Sequence, residues 1–122
     1  ELLNCHAVDI AQPDIGSCGG ITGARHIFTL AQANGIEVNP HVWGSGVAQA
    51  ASLQVLAALP NAIHSLYARQ PILEYDRSSH PFRNDLVDRP LSLNKDGMVE
   101  ISDNPGLGIE VNRAIINKYK VN

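Results

Sequence analysis

Two short apolar runs, each closed by a proline and each followed by a segment of helix length, limit this chain to very few architectures. The first is Ala7-Val8-Asp9-Ile10-Ala11-Gln12, ended by Pro13, and the second is Ile36-Glu37-Val38-Asn39, ended by Pro40. A brief, largely apolar run bounded by proline suits a strand buried on both faces of a sheet. After the first run, the loop Pro13 to Gly20 leads to a helix over about residues 23–34. Its inward stripe is Ala24, Ile27, Phe28 and Ala31, with Thr22 as the cap and Gly35 as the stop. After the second, the loop Pro40 to Gly44 leads to an Ala-rich helix from Ser45 to Leu59, stopped by Pro60. Strands alternating with helices imply a parallel sheet joined by right-handed crossovers, hence an α/β fold.

The pattern then thins. Ile72-Leu73-Glu74-Tyr75 reads as a third strand, and Leu86-Val87 as a short helix behind it. Beyond Pro90, Leu91-Ser92-Leu93 and Met98-Val99-Glu100-Ile101 flank Asn94-Lys95-Asp96-Gly97. The Asp-Gly pair there supplies the positive φ of a tight hairpin. After Pro105-Gly106-Leu107-Gly108, Asn112 can cap a last helix running to about Tyr119. Charge follows the same division: residues 1–68 hold one basic residue, Arg25, against four acids, and residues 69–122 hold eight of each sign.

Three parallel strands with two full helices cannot cover both faces of their own sheet. A closed (β/α)8 barrel takes about 250 residues, so a chain of 122 supplies roughly three of its eight units. A piece of a larger barrel is therefore the expected fold.

Composition narrows the function. Apolar residues make up 44% of the chain and occur in periodic blocks, which excludes disorder. A net charge of -3 offers no broad cationic surface, so neither nucleic acid nor membrane is an expected partner. No apolar run approaches the roughly 20 residues of a spanning helix, and the first residues lack the basic region of a signal peptide. A soluble, cytoplasmic protein is the expectation. Cys5 and Cys18 are too few for a disulfide scaffold and form no CxxC, so reduced thiols are expected.

Asp14 stands just past the first strand, His41 just past the second and Glu74 at the end of the third. That places all three at the carboxyl end of a parallel sheet, where ligands bind and catalytic side chains gather. An Asp beside a His can orient the imidazole and raise its pKa toward neutrality, so Asp14 and His41 form a candidate acid/base dyad. Simpler roles compete. Asp14 after Pro13 also suits a turn, His41 after Pro40 a loop histidine, and Glu74 beside Arg77 a surface ion pair. Gly19-Gly20-Ile21-Thr22 can either bind an anion at a helix start or merely permit a tight turn. His6, His26, His64 and His80 lack metal-site spacing and read as structural or solvated. Cys18 has no basic neighbour and reads as an inert thiol.

The order of motifs adds specificity: Gln12-Pro13-Asp14, Cys18-Gly19-Gly20-Ile21-Thr22, Pro40-His41-Val42-Trp43-Gly44, Leu73-Glu74-Tyr75-Asp76 and Pro105-Gly106-Leu107-Gly108-Ile109-Glu110. Covering nearly the whole chain, this succession resembles the C-terminal part of the mandelate racemase branch of the enolase superfamily. Within it, His41-Val42-Trp43-Gly44-Ser45-Gly46-Val47 and the run from Glu74 through His80 to Arg83 look most like cycloisomerases of the galactarolactone and 3,6-anhydrogalactonate type.

The resemblance implies the last three βα units of a modified TIM barrel over residues 1–89. Residues 90–122 would form the hairpin and helix returning toward a capping domain. It implies that Asp14 and His41 are the acid/base dyad, and that Glu74 hydrogen-bonds the substrate carboxylate. Trp43 joins Glu74 as a substrate-binding residue. Mg2+ is implied as cofactor, its three carboxylate ligands on strands upstream of this chain and none within it. The family's second-strand lysine has no counterpart, since no Lys precedes Lys95. The implied function is a sugar-acid cycloisomerase or dehydratase, homo-oligomeric at full length, acting on a sugar acid or its lactone or anhydro form. It would remove the proton α to the carboxylate and eliminate a β oxygen to give a 2-keto-3-deoxy acid. The isolated 122 residues are expected to be inactive. The alternative is a non-catalytic truncated barrel module that assembles with other chains.

Overall fold

Strand pairing begins where the first apolar run ends. In a computed structural model that describes residues 1–59 and 70–121, β1 (Ile10–Ala11) lies parallel to β2 (Glu37–Val38), with Ile10 opposite Glu37 and Ala11 opposite Val38. Between them runs α1 (Gly20–Ala33), and after β2 comes α2 (Gly46–Ala57). The two repeats thus form two successive βα units, as their sequence pattern implies. Pro60, expected to stop α2, and His64 lie outside the described residues.

Several boundaries differ from expectation for physical reasons. The first strand is two residues rather than six, because ladder pairing is confined to Ile10 and Ala11; Ala11 is buried while Ile10 is 47% exposed. α1 starts at Gly20, and its N-cap is Gly19 at φ 95°, a left-handed conformation that glycine adopts at little cost. Thr22 therefore lies inside the helix and does not cap it. At Gly23 a Cβ would stand 2.0 Å from the Cys18 carbonyl oxygen, so only glycine lets the preceding loop fold back against the helix.

The inward stripe of α1 holds: Ala24, Phe28 and Ala31 are buried, and Ile27 is half-buried. Ala24 and Phe28 form one core cluster with Ile15, Ala51 and Val55 of α2. Ala31 joins Ala11 and Ile36 in a second, beneath the strand pair. Ser45 caps α2 by accepting the Ala48 N–H at 3.2 Å. α2 is buried around most of its circumference, from Gln49 to Leu56, since α1 packs on one side and α3 (Pro81–Asn84) on another. A Cβ on Gly46 would reach 2.6 Å from the Arg83 carbonyl, which is why the start of α2 can approach α3 so closely.

The third unit is abbreviated further than expected. Ile72–Tyr75 forms no ladder among the described residues, and the short helix sits at Pro81–Asn84, where Pro81 at its first position has φ already set for a helix. Val87 instead forms an antiparallel bridge with Val111. The hairpin is present as a bridge between Leu93 and Val99, with Gly97 at φ 74° and the Asn94 side chain accepting from the Asp96 and Met98 N–H groups. Asn112 caps the last helix, α4 (Arg113–Lys118), through the Ala114 N–H. Among the described residues no helix is long and apolar enough to cross a membrane.

A two-pair ladder and exposed Ile10, Leu30 and Ile72 are little to hold a fold of this size. Residues 1–122 expressed alone are expected to melt over a broad range without a cooperative step in calorimetry. A sharp, reversible transition in a monomeric sample would contradict this.

Candidate active site

The register that pairs β1 with β2 continues past both prolines. Ile10 with Glu37, Ala11 with Val38 and the isolated bridge Asp14 with His41 all share one offset of 27 residues. Asp14 and His41 therefore meet because each follows its strand by the same number of residues. The Asp14 Oδ2 atom lies 2.8 Å from His41 Nδ1. A carboxylate only accepts, so Nδ1 carries the proton, and Nε2 is the nitrogen free to exchange one with a ligand.

Electrostatics follow the geometry. The bond from His41 holds the Asp14 carboxyl below the usual carboxylate range; burial opposes it, and the Gly16 and Ser17 N–H groups add lesser support. The Asp14 carboxylate raises the His41 pKa above the ordinary 6.5, and the negative charge of Glu74 adds to it. The pair is open to solvent, with the His41 side chain 47% and the Asp14 side chain 30% exposed.

Glu74 joins this end of the sheet through the main chain. Its Oε2 accepts the Val42 N–H at 3.0 Å, one residue beyond His41. Trp43 follows, an indole 64% exposed to solvent. Asp14, His41, Glu74 and Trp43, separated by up to 60 positions in the chain, thus sit around one backbone segment.

Two features escaped sequence reasoning. Asp76 and the buried Arg83 form an ion pair, and Arg83 also donates to the Ser78 carbonyl and, at 3.1 Å, to the Ser78 hydroxyl. The Ser78 N–H and hydroxyl hold the Asp76 carboxyl below its usual range, with Arg83 adding to the effect. This clamps the loop after Glu74. His80, expected to be structural or solvated, takes a structural part by capping α3 through Nδ1, which accepts the Phe82 N–H at 3.2 Å; its ring also stands edge-on to Trp43 with centroids 6.4 Å apart, which spacing did not give. The signal was there: both lie in the Glu74 to Arg83 run, and a His directly before Pro81 is placed to cap a helix.

The glycine loop makes a tight turn into α1. The Gly20 N–H is donated to the Ile15 carbonyl and the Gly23 N–H to Gly19. Cys18 is a half-buried free thiol near the Gly20 carbonyl.

The residues present do not fit a divalent cation. Asp14 is engaged with His41, Glu74 with the Val42 N–H, and among the described residues no three His, Cys, Asp or Glu side chains gather as a ligand set. What the cluster can do is move a proton at Nε2 of His41 and present Glu74 to a polar group of a ligand beside it.

The profile of the Enolase C-terminal domain-like family matches residues 1–115. The D-galactarolactone cycloisomerase of Agrobacterium fabrum is 42% identical over 121 residues, 99% of this chain and 32% of that protein. The D-gluconate dehydratase of Thermoproteus tenax is 32% identical over 113 residues, 93% of this chain and 21% of the enzyme. The crystal structure of the 3,6-anhydro-D-galactonate cycloisomerase from Zobellia galactanivorans superposes with a TM-score of 0.82 at 33% identity, covering 97% of this chain and 31% of that one. The chain spans a third or less of the length of these relatives.

Proposed function

The chain belongs to the Enolase C-terminal domain-like family, and from that membership we propose that it is the C-terminal part of a magnesium-dependent sugar-acid cycloisomerase or dehydratase acting in the cytoplasm. Its fold is a fragment of the family's TIM barrel, and its relatives include sugar-acid cycloisomerases and dehydratases. The observation that carries the reading is the Asp14–His41 pair at 2.8 Å, with Glu74 fastened to the next backbone N–H.

In this reading residues 1–89 are the last three βα units and residues 90–122 the returning hairpin and helix. Asp14 orients and charges the imidazole, and His41 Nε2 exchanges a proton with the substrate. The Glu74 carboxyl meets the substrate carboxylate, and Trp43 forms an apolar wall beside it. Loss of the α proton leaves an enediolate. Its electron pair expels a β oxygen, which leaves with a proton, and the resulting enol tautomerises to a 2-keto-3-deoxy acid. Magnesium, held by carboxylates outside these residues, would supply charge stabilisation to the enediolate.

The test is direct. The full-length protein carrying this chain, given magnesium and a panel of aldonic and aldaric acids and lactones in D2O, is expected to exchange the α proton. It is also expected to form a 2-keto-3-deoxy acid from at least one of them. Neither signal from any substrate would favour the non-catalytic module.

A pH dependence follows from the raised His41 pKa. The limb of the kcat/KM profile assigned to His41 is expected above pH 6.5. In Asp14→Asn the imidazolium loses its anionic partner, so the limb moves to lower pH. A limb that stays in place would show that Asp14 does not tune the imidazole.

A further inference from the structure

His80 is half-buried, stands beside the exposed Trp43, and uses one ring nitrogen only. Because Nδ1 accepts the Phe82 N–H, a neutral ring carries its hydrogen on Nε2, and among the described residues Nε2 has no protein partner. A hydrogen-bond donor is thereby fixed in one tautomer and left unused.

Its place is set on three sides. The Arg83 clamp on Asp76 and Ser78 holds the loop leading into His80. Phe82, whose ring tilts against His80 at 5.7 Å, rests edge-on against Tyr119 at 5.1 Å. On the remaining side Trp43 meets the ring. Val42 is buried while His41 and Trp43 are both exposed, the alternation of an extended segment, which sets side chains two apart on one side at roughly 6–7 Å. Trp43 therefore stands along this edge between His41 and His80.

We propose that His80 is a specificity-determining residue, donating from Nε2–H to a hydroxyl or ring oxygen of the sugar acid remote from the carboxylate that meets Glu74, with Trp43 as the wall between the two ends. This rests on the sugar-acid reading above and adds the residue that senses the far end of the substrate. A capping role alone does not explain the contact with Trp43, since any N-cap acceptor serves the Phe82 N–H.

Two substitutions separate the ring nitrogens. In His80→Asn, the Asn Oδ1 can still accept the Phe82 N–H, but no donor remains at the Nε2 position. In His80→Gln, the amide nitrogen reaches the Nε2 position, but the cap is lost. In the full-length enzyme, on the substrate it turns over best, His80→Asn is expected to raise KM and lower kcat/KM about 10- to 100-fold with Tm unchanged. His80→Gln is expected to keep kcat/KM within about fivefold despite a lower Tm. An unaltered kcat/KM in His80→Asn, or an equal loss in both variants, overturns the proposal. Absence of turnover in the unaltered protein overturns the sugar-acid reading and this proposal with it.

Discussion

Replacing His41 by Ala in the full-length enzyme is expected to lower turnover by about 10²–10⁴, the usual contribution of a positioned acid/base group. The geometry dictates this more than the residue type does. With Nδ1 committed to Asp14, Nε2 is the one ring nitrogen able to reach a ligand, and no other histidine among the described residues shares an ion pair with a carboxylate. Metal affinity should change little, because His41 is bonded to Asp14 and belongs to no ligand set among the described residues. Asp14→Asn acts through the same imidazole. Asn can leave the ring in the wrong tautomer and removes the charge that favours the imidazolium. The two losses should therefore be far from additive, the double variant falling little below His41→Ala. Additive effects in the double-mutant cycle would make Asp14 an independent turn residue, as its position after Pro13 also allows.

The Asp14–His41 contact was legible in the sequence because its geometry is a matter of register. Asp14 and His41 each follow the proline that closes a strand, and parallel strands in register bring such residues side by side without help from distant parts of the chain. The helices were legible for a similar reason, since Ala24, Phe28 and Ala31 repeat at the helical period and Ser45 and Asn112 are good caps. Strand length was less so. A strand lasts as long as it has a partner, so Ala7–Asp9 carry strand-like residues without a ladder, and Glu74 is held by a carboxylate bond to Val42 instead of by pairing. The start of α1 depended on a left-handed Gly19, whose φ no neighbouring residue type announces. The cap at His80 was legible from Pro81, but its free Nε2 was not, because which ring nitrogen is occupied is a fact of three-dimensional contact rather than of spacing.

Glu74 is expected to show the sharpest split between two substitutions. Its Oε2 already accepts the Val42 N–H, which leaves Oε1 for a ligand. If that ligand is the substrate carboxylate, the two groups can approach only by sharing a proton, because like charges in a confined site cannot both stay ionised. The bond between them then strengthens as the substrate carboxylate gains charge on the way to the enediolate, so its effect falls on turnover more than on binding. Glu74→Gln preserves both contacts: the amide oxygen can accept from Val42 and the amide nitrogen can donate to the substrate. Glu74→Ala loses both and leaves the Val42 N–H, in a residue only 2% exposed, without its acceptor. Turnover is therefore expected to fall by about 10²–10³ in Glu74→Ala, the loss typical of one donor to a developing oxyanion, and by no more than about tenfold in Glu74→Gln. Substrate KM should move less than kcat in both, and Tm should drop only in Glu74→Ala. Turnover in Glu74→Ala equal to that of the unaltered enzyme would make Glu74 a structural partner of Val42 and nothing more. Equal losses in the two variants at unchanged Tm would show that a neutral donor cannot replace the carboxyl group, and that the substrate carboxylate lies elsewhere.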